Sequence, residues 1–186
     1  MMHERTTWGW VGALSTGTGH LATGESCQDF GACVEFSRPN GEAVLLAIVS
    51  DGAGSAPLGR VGARIACLSL AREIGKHLRN HQYSTIDTDL ARRWLSVVQS
   101  DVQKVAERAG MPLRAYAATL VSAMIYDDAA TVLQVGDGGC ALRASNGAWH
   151  VPVWPMHGEY ASSTYFVTDR PQPNFCLATL QENIGA

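Results

Sequence analysis

The run Val44-Leu45-Leu46-Ala47-Ile48-Val49 is unbroken in its apolar character and stops abruptly at Ser50-Asp51-Gly52. A short apolar run of this length, bounded by turn residues, suits a strand covered on both faces. Upstream, Arg38-Pro39-Asn40-Gly41 carries an Asn-Gly pair. That pair is the strongest short hairpin signal, because both residues tolerate the positive φ of a tight hairpin turn. A strand over 30–36, a turn and a strand over 42–49 follow from this.

The remaining pattern divides into three blocks. Before the hairpin, 8–13 reads as a short strand and 15–24, with its glycines, as a loop. After it, Val61, Ile65, Leu68, Ile74 and Leu78 recur at helical spacing and predict a helix over 60–78. Leu90, Trp94, Val97, Val98 and Val105 predict a second helix over 88–109, stopped by Gly110 and Pro112. Strands return over 117–126 and 129–135, flanking Asp127-Asp128, and a tight turn occupies 136–139. Shorter strands are expected over 140–144, 149–153, 164–167 and 175–179, and the tail 181–186, without apolar pattern, is expected to fray. Strands, two long helices, then strands again favour an α+β layered fold with mainly antiparallel sheets over alternating βαβ units.

Composition narrows the function. At 186 residues the prior is a single domain spanning 1–186. A formal charge of −3 provides neither a nucleic-acid surface nor a polybasic membrane anchor. No apolar run approaches the roughly 20 residues of a membrane span, and Met1-Met2-His3-Glu4-Arg5 does not begin a secretory signal. Five cysteines, odd in number and never in C-x-x-C pairs, read as reduced thiols of a cytoplasmic protein. The six histidines form no H-E-x-x-H array, which argues against zinc.

Three aspartates carry the candidate chemistry: Asp29, Asp51 and Asp137. Each adjoins an expected strand, and Asp51 and Asp137 directly precede glycine. Hard divalent cations such as Mg2+ and Mn2+ prefer carboxylate, carbonyl and water oxygens. An Asp-Gly pair at a strand end presents a carboxylate beside an unobstructed backbone carbonyl. Two ions about 3.5–4 Å apart can generate a hydroxide and clamp a phosphate during in-line attack. Asp-Gly is also, and more commonly, a plain turn.

In order along the chain stand Gly24-Glu25-Ser26-Cys27-Gln28-Asp29, Val49-Ser50-Asp51-Gly52-Ala53-Gly54-Ser55-Ala56, Ala118-Thr119-Leu120 and Val135-Gly136-Asp137-Gly138. This series resembles the successive motifs of the protein phosphatase 2C family over about residues 8–140. The resemblance implies a sandwich of two mainly antiparallel β-sheets flanked by helices. It implies two Mg2+ or Mn2+ ions and hydrolysis of phosphoserine and phosphothreonine in proteins by metal-activated water. Carried over by position, Asp51 bridges both ions and Gly52 lends its backbone carbonyl. Asp29 holds metal-bound water, Asp137 lies near a further, weaker metal position, and Thr119 packs beside the site.

The departures from that pattern are specific. Gln28 stands where the family has an acidic residue, and 14–27 lacks the family's phosphate-binding arginine. His20 is the candidate replacement for the phosphate contact, or else a hydrogen-bonding loop histidine. After Asp137 the only aspartate is Asp169, in the turn-like Thr168-Asp169-Arg170-Pro171, and it is read as structural. The domain is therefore expected to be incomplete at its C-terminal end, with weak or absent turnover. The alternative is a non-catalytic domain of the same fold that binds a phosphoprotein or regulatory partner. Two further readings carry less. Gly17-Thr18-Gly19-His20-Leu21-Ala22 fits a dinucleotide loop but is not followed by a helix. The aromatic and Pro-rich stretch 149–160 suits a flap over the site, an interaction surface or an ordinary surface loop.

Overall fold

Eight residues on either side of the Asn-Gly turn lie antiparallel, β1 (Phe30–Ser37) against β2 (Ala43–Ser50), as the hairpin signal requires. The computed structural model describes residues 8–16, 18, 24, 26–80, 85–126, 128–157 and 164–184. After the hairpin come helix α1 (Gly59–Asn80), helix α2 (Thr88–Arg108) and a 3-10 turn (Leu113–Tyr116). Strands β3 (Leu120–Ile125), β4 (Ala130–Val135), β5 (Leu142–Arg143), β6 (Trp149–His150) and β7 (Cys176–Leu180) complete the order. A five-stranded antiparallel sheet runs β1-β2-β3-β4-β7, and β5 pairs with β6 as a second, two-stranded sheet. The expected α+β fold of antiparallel sheets and two long helices is what forms, with the second sheet reduced to a ribbon among the described residues.

Period-two alternation sorts the sheet's side chains into two cores. Val44, Leu46 and Ile48 of β2 join Leu120, Met124 and Leu133 on one face, packed against Leu70, Ile74, Leu78, Trp94, Leu95 and Val98 of the helices. On the other face Val121, Ala123, Ala130 and Val132 meet Leu142 of the ribbon and Val153. This second core draws its strand residues from β3, β4, β5 and β7 and does not extend over β1 and β2. That limit corrects the expectation for β2: Val49 is 51% exposed, because its face lies beyond the ribbon's cover.

Three other expectations are corrected. Residues 8–13 form no strand, and Val11 is 95% exposed; the Trp8 N–H donates to Glu35 Oε2 of β1 at 3.2 Å. Residues 164–167 form no strand: they carry one isolated bridge, Thr164 to His157, lead into the turn closed by the Asp169 N–H donating to Phe166 O at 3.0 Å, and contribute the buried Val167. The tail does not fray over 181–184: Ile184 bridges Ala144, and Asn183 O accepts the Ser145 N–H at 2.8 Å. Among the described residues, no helix is long and apolar enough to cross a membrane.

The helices are joined by a small polar network. Asp101 of α2 accepts from Ser69 Oγ and Arg72 Nη2 of α1, each at 2.6 Å, and from Lys104 Nζ at 3.1 Å. Burial raises the Asp101 carboxyl, but the hydrogen bonds from Arg72, Ser69 and Lys104 outweigh it and hold it at about 2, against an ordinary 3.8. Near the start of α1, Gly62 lies directly on the 3-10 turn, where an added Cβ would stand 2.0 Å from Tyr116 O.

Two outcomes follow from these contacts. Gly62→Ala should lower unfolding free energy by about 1–3 kcal/mol, read by chemical denaturation, because backbone faces backbone there. The Asp101 network, whose folded-state carboxyl is depressed, should stabilise fully above the unfolded 3.8 and lose its contribution as pH falls toward about 2. Thermal melts across that window should show a slope that Asp101→Asn removes.

Candidate active site at one end of the sheet

The sheet register decides where the three aspartates go. Phe30 pairs with Ser50, Val49 with Val121, and Leu120 with Val135. The start of β1, the end of β2, the start of β3 and the end of β4 therefore share one edge. Asp29 precedes β1, Asp51 follows β2, Thr119 precedes β3 and Asp137 follows β4 by two residues. The antiparallel order thus delivers Asp29, Asp51 and Asp137 to the same end of the sheet. Asp51 and Asp137 are exposed and Asp29 is partly buried.

Asp51 is held by its backbone. Thr119 Oγ1 accepts the Asp51 N–H at 3.1 Å, and the Thr119 N–H donates to Asp51 O at 2.9 Å. Ser50 Oγ donates to Thr119 O, Gly52 bridges Ala118, and the Ala53 N–H donates to Ala117 O at 2.9 Å. Strand-like pairing therefore continues past β2, and Thr119 does more than pack: its hydroxyl fixes the Asp51 peptide.

The Asp137 loop has a support that the residue pattern did not single out. Gln134, wholly buried in β4, directs Nε2 at Gly136 O (2.8 Å), Gly138 O (2.7 Å) and Trp154 O (3.1 Å). A lone amide inside an otherwise apolar strand was the available signal, since buried amides seek partners.

On the other side, Cys27 Sγ lies 3.6 Å from Asp29 Oδ2 as a thiol donor. Gln28 reaches the Asp51 loop twice. Its backbone O accepts the Gly52 N–H at 3.3 Å. Its amide, turned as its neighbours require, directs nitrogen at Gly52 O (3.3 Å) and Ala53 O (3.0 Å). The loop also presses on the start of α1: a Cβ on Gly52 would stand 2.3 Å from the Gly59 carbonyl carbon. Asp169, read as a turn residue, accepts the Phe166 N–H at 2.9 Å through Oδ2. His20 lies outside the described residues.

These groups do not fit a two-ion cage. Among the described residues, no three His, Cys, Asp or Glu side chains converge as a metal-holding group. The Gly52 carbonyl, the neutral oxygen that such a cage would use, already faces the Gln28 amide. What this end of the sheet presents is the exposed Asp51, with Asp29 on the adjacent strand β1 and Asp137 two strands away on β4. Beside the Asp51 loop runs a groove of about 670 Å3, lined by Ser55, Pro57, Arg114, Phe166 and Arg170 among others.

A family model described as protein phosphatase 2C matches residues 16–185. Serine/threonine-protein phosphatase 3 of Escherichia coli (strain K12) is 30% identical over 165 residues, covering 88% of this chain and 64% of that protein. The chain therefore spans less than two thirds of that relative's length. The solved S. agalactiae serine/threonine phosphatase superposes with a TM-score of 0.56 at 18% identity, over 84% of this chain and 69% of that one. RsbX in complex with magnesium gives 0.51 at 17% identity, over 85% and 62% respectively. At these identities the two structures share the fold.

Thr119→Val should leave the Asp51 N–H without its side-chain acceptor and cost about 1–3 kcal/mol of stability. Faster hydrogen exchange at the Asp51 amide, with the sheet amides unchanged, would locate that loss at the edge.

Proposed function

We propose, from the premise that the chain belongs to the protein phosphatase 2C family, that its Asp51 edge is the reaction end of a phosphoserine/phosphothreonine protein phosphatase fold. The observation that carries this is the placement of Asp29, Asp51 and Asp137 at the same end of the sheet, on β1, β2 and β4, with the Asp51 peptide fixed by Thr119. A carboxylate on a fixed main-chain peptide suits a hard divalent cation, Mg2+ or Mn2+, and the magnesium in the RsbX complex supports that class of ion. When bound, such an ion supplies a Lewis acid for a phosphoryl oxygen.

The chain's own residues do the positioning. Thr119 and Ser50 hold the Asp51 loop, and Gln134 holds the Asp137 loop. The groove beside Ser55 and Pro57 offers the guanidinium groups of Arg114 and Arg170, both exposed, next to apolar Phe166. Guanidinium groups take carboxylates and phosphates with charge-assisted hydrogen bonds. A phosphoprotein segment with acidic residues is the substrate that fits. The free thiols suit a reducing compartment such as the cytoplasm.

The proposed turnover of this chain is weak or absent, because the groups among the described residues do not form a two-ion cage. The amide of Gln28 against Gly52 O also favours a second reading, a phosphatase-like domain that binds a phosphoprotein or regulatory partner without hydrolysing it.

Mn2+-supported hydrolysis of p-nitrophenyl phosphate should be at most a trace in this chain, and that trace should vanish in Asp51→Asn. Robust turnover would overturn the weak-site reading, and a trace untouched by Asp51→Asn would overturn the assignment of Asp51. Binding of an acidic phosphopeptide should weaken several-fold in Arg114→Ala/Arg170→Ala and should weaken with added salt.

A further inference from the structure

Gln28 touches both sides of the Gly52 peptide. Its main-chain oxygen accepts the Gly52 N–H, and its side-chain nitrogen faces the carbonyls of Gly52 and Ala53. A glutamine amide has two donor hydrogens, so the two carbonyls match it one to one. The amide end is enclosed as well as bonded. A Cβ on Gly59 would stand 2.5 Å from it and 3.1 Å from Ala53 O, so only glycine at the first position of α1 leaves it room.

We propose that the Gln28 side chain is a built-in replacement for a cation on the Gly52 carbonyl: it holds residues 51–53 in place without metal and keeps an ion off that oxygen. The proposal rests on the reading of the Asp51 edge given above and adds to it a residue that excludes an ion from the Gly52 peptide. The chemistry follows from the donor count. A Mg2+ or Mn2+ ion binds oxygen at about 2.0–2.2 Å and would sit close to the amide hydrogens aimed at the same oxygen, positive against positive. Glutamate has the same shape and no donor when ionised. At this position its carboxylate would oppose the carbonyl oxygens of Gly52 and Ala53, and a cation between them would relieve that repulsion. Glutamine satisfies the same carbonyls with nothing bound.

The test reads stability and binding, with no turnover required. The wild-type chain should melt at the same temperature in EDTA and in Mg2+, and Mn2+ calorimetry should show one weak event per chain. Gln28→Glu should melt lower than wild type in EDTA, recover when Mn2+ is added, and gain a second Mn2+ event. Two Mn2+ ions on the wild-type chain would overturn the proposal, as would a Gln28→Glu chain whose EDTA melt equals that of wild type. If Gln28→Glu does not fold, the wild-type side-chain amide protons of Gln28 decide by NMR. Slow exchange in EDTA that added Mg2+ leaves slow supports the clamp; fast exchange refutes it. Failure of the Asp51 reading is distinguishable: there the weak Mn2+ event survives Asp51→Asn, while the Gln28 protons report independently.

Discussion

Gly52 lies with its backbone against Gly59, so close that no side chain fits at either position, and its peptide is gripped by Gln28 on one side and by the 117–119 segment on the other. This contact joins the end of β2 to the start of α1. Through it the sheet edge, the helix layer and the 3-10 turn meet at one point. The position of Asp51 depends on it directly, because Asp51 is the last residue before the grip. Displacing the Gly52 peptide would also shift Thr119, which shares two hydrogen bonds with Asp51.

Antiparallel pairing provides the rest of the site. In such a sheet, alternate strand starts and strand ends share an edge, so residues far apart in sequence meet without any dedicated structure. Asp29, Asp51 and Asp137 arrive together in this way, from three strands of the same sheet. The helices cover one face and the short ribbon covers part of the other, leaving the edge open to solvent. The phosphorylated polypeptide proposed as substrate would lie along this edge and the arginine-bearing groove beside it.

Much of this was legible along the chain. The apolar run before Asp51, the Asn-Gly turn and the helical spacing of Val61 to Leu78 each arise from local patterning, and each became the expected element, although Val61 and Leu68 of that spacing are exposed and Ala63, Ala66 and Leu70 are buried beside Ile74 and Leu78. The three aspartates could be placed because strand ends can be read from where apolar runs stop. What could not be read depends on contacts between distant segments. The half-exposed Val49 reflects how far the ribbon reaches across the sheet. The strand expected over 8–13 has apolar residues but no partner strand to accept its backbone hydrogen bonds. Gln28 was visible as a departure from an acidic residue, but its engagement of two carbonyls needs the folded loop. Gln134 stood out only as one polar residue among apolar neighbours, with nothing local to say which loops it would hold.

The central proposal is that the end of the sheet carrying Asp29, Asp51 and Asp137 takes a cation at Asp51. Paramagnetic broadening by Mn2+, read residue by residue in the amide NMR spectrum of the 186-residue chain, tests it most directly. The account predicts that the amides of residues 29, 51, 119 and 137 broaden together at the lowest Mn2+ concentrations, and that Asp51→Asn abolishes the effect. Broadening centred elsewhere, or unchanged in Asp51→Asn, would contradict it.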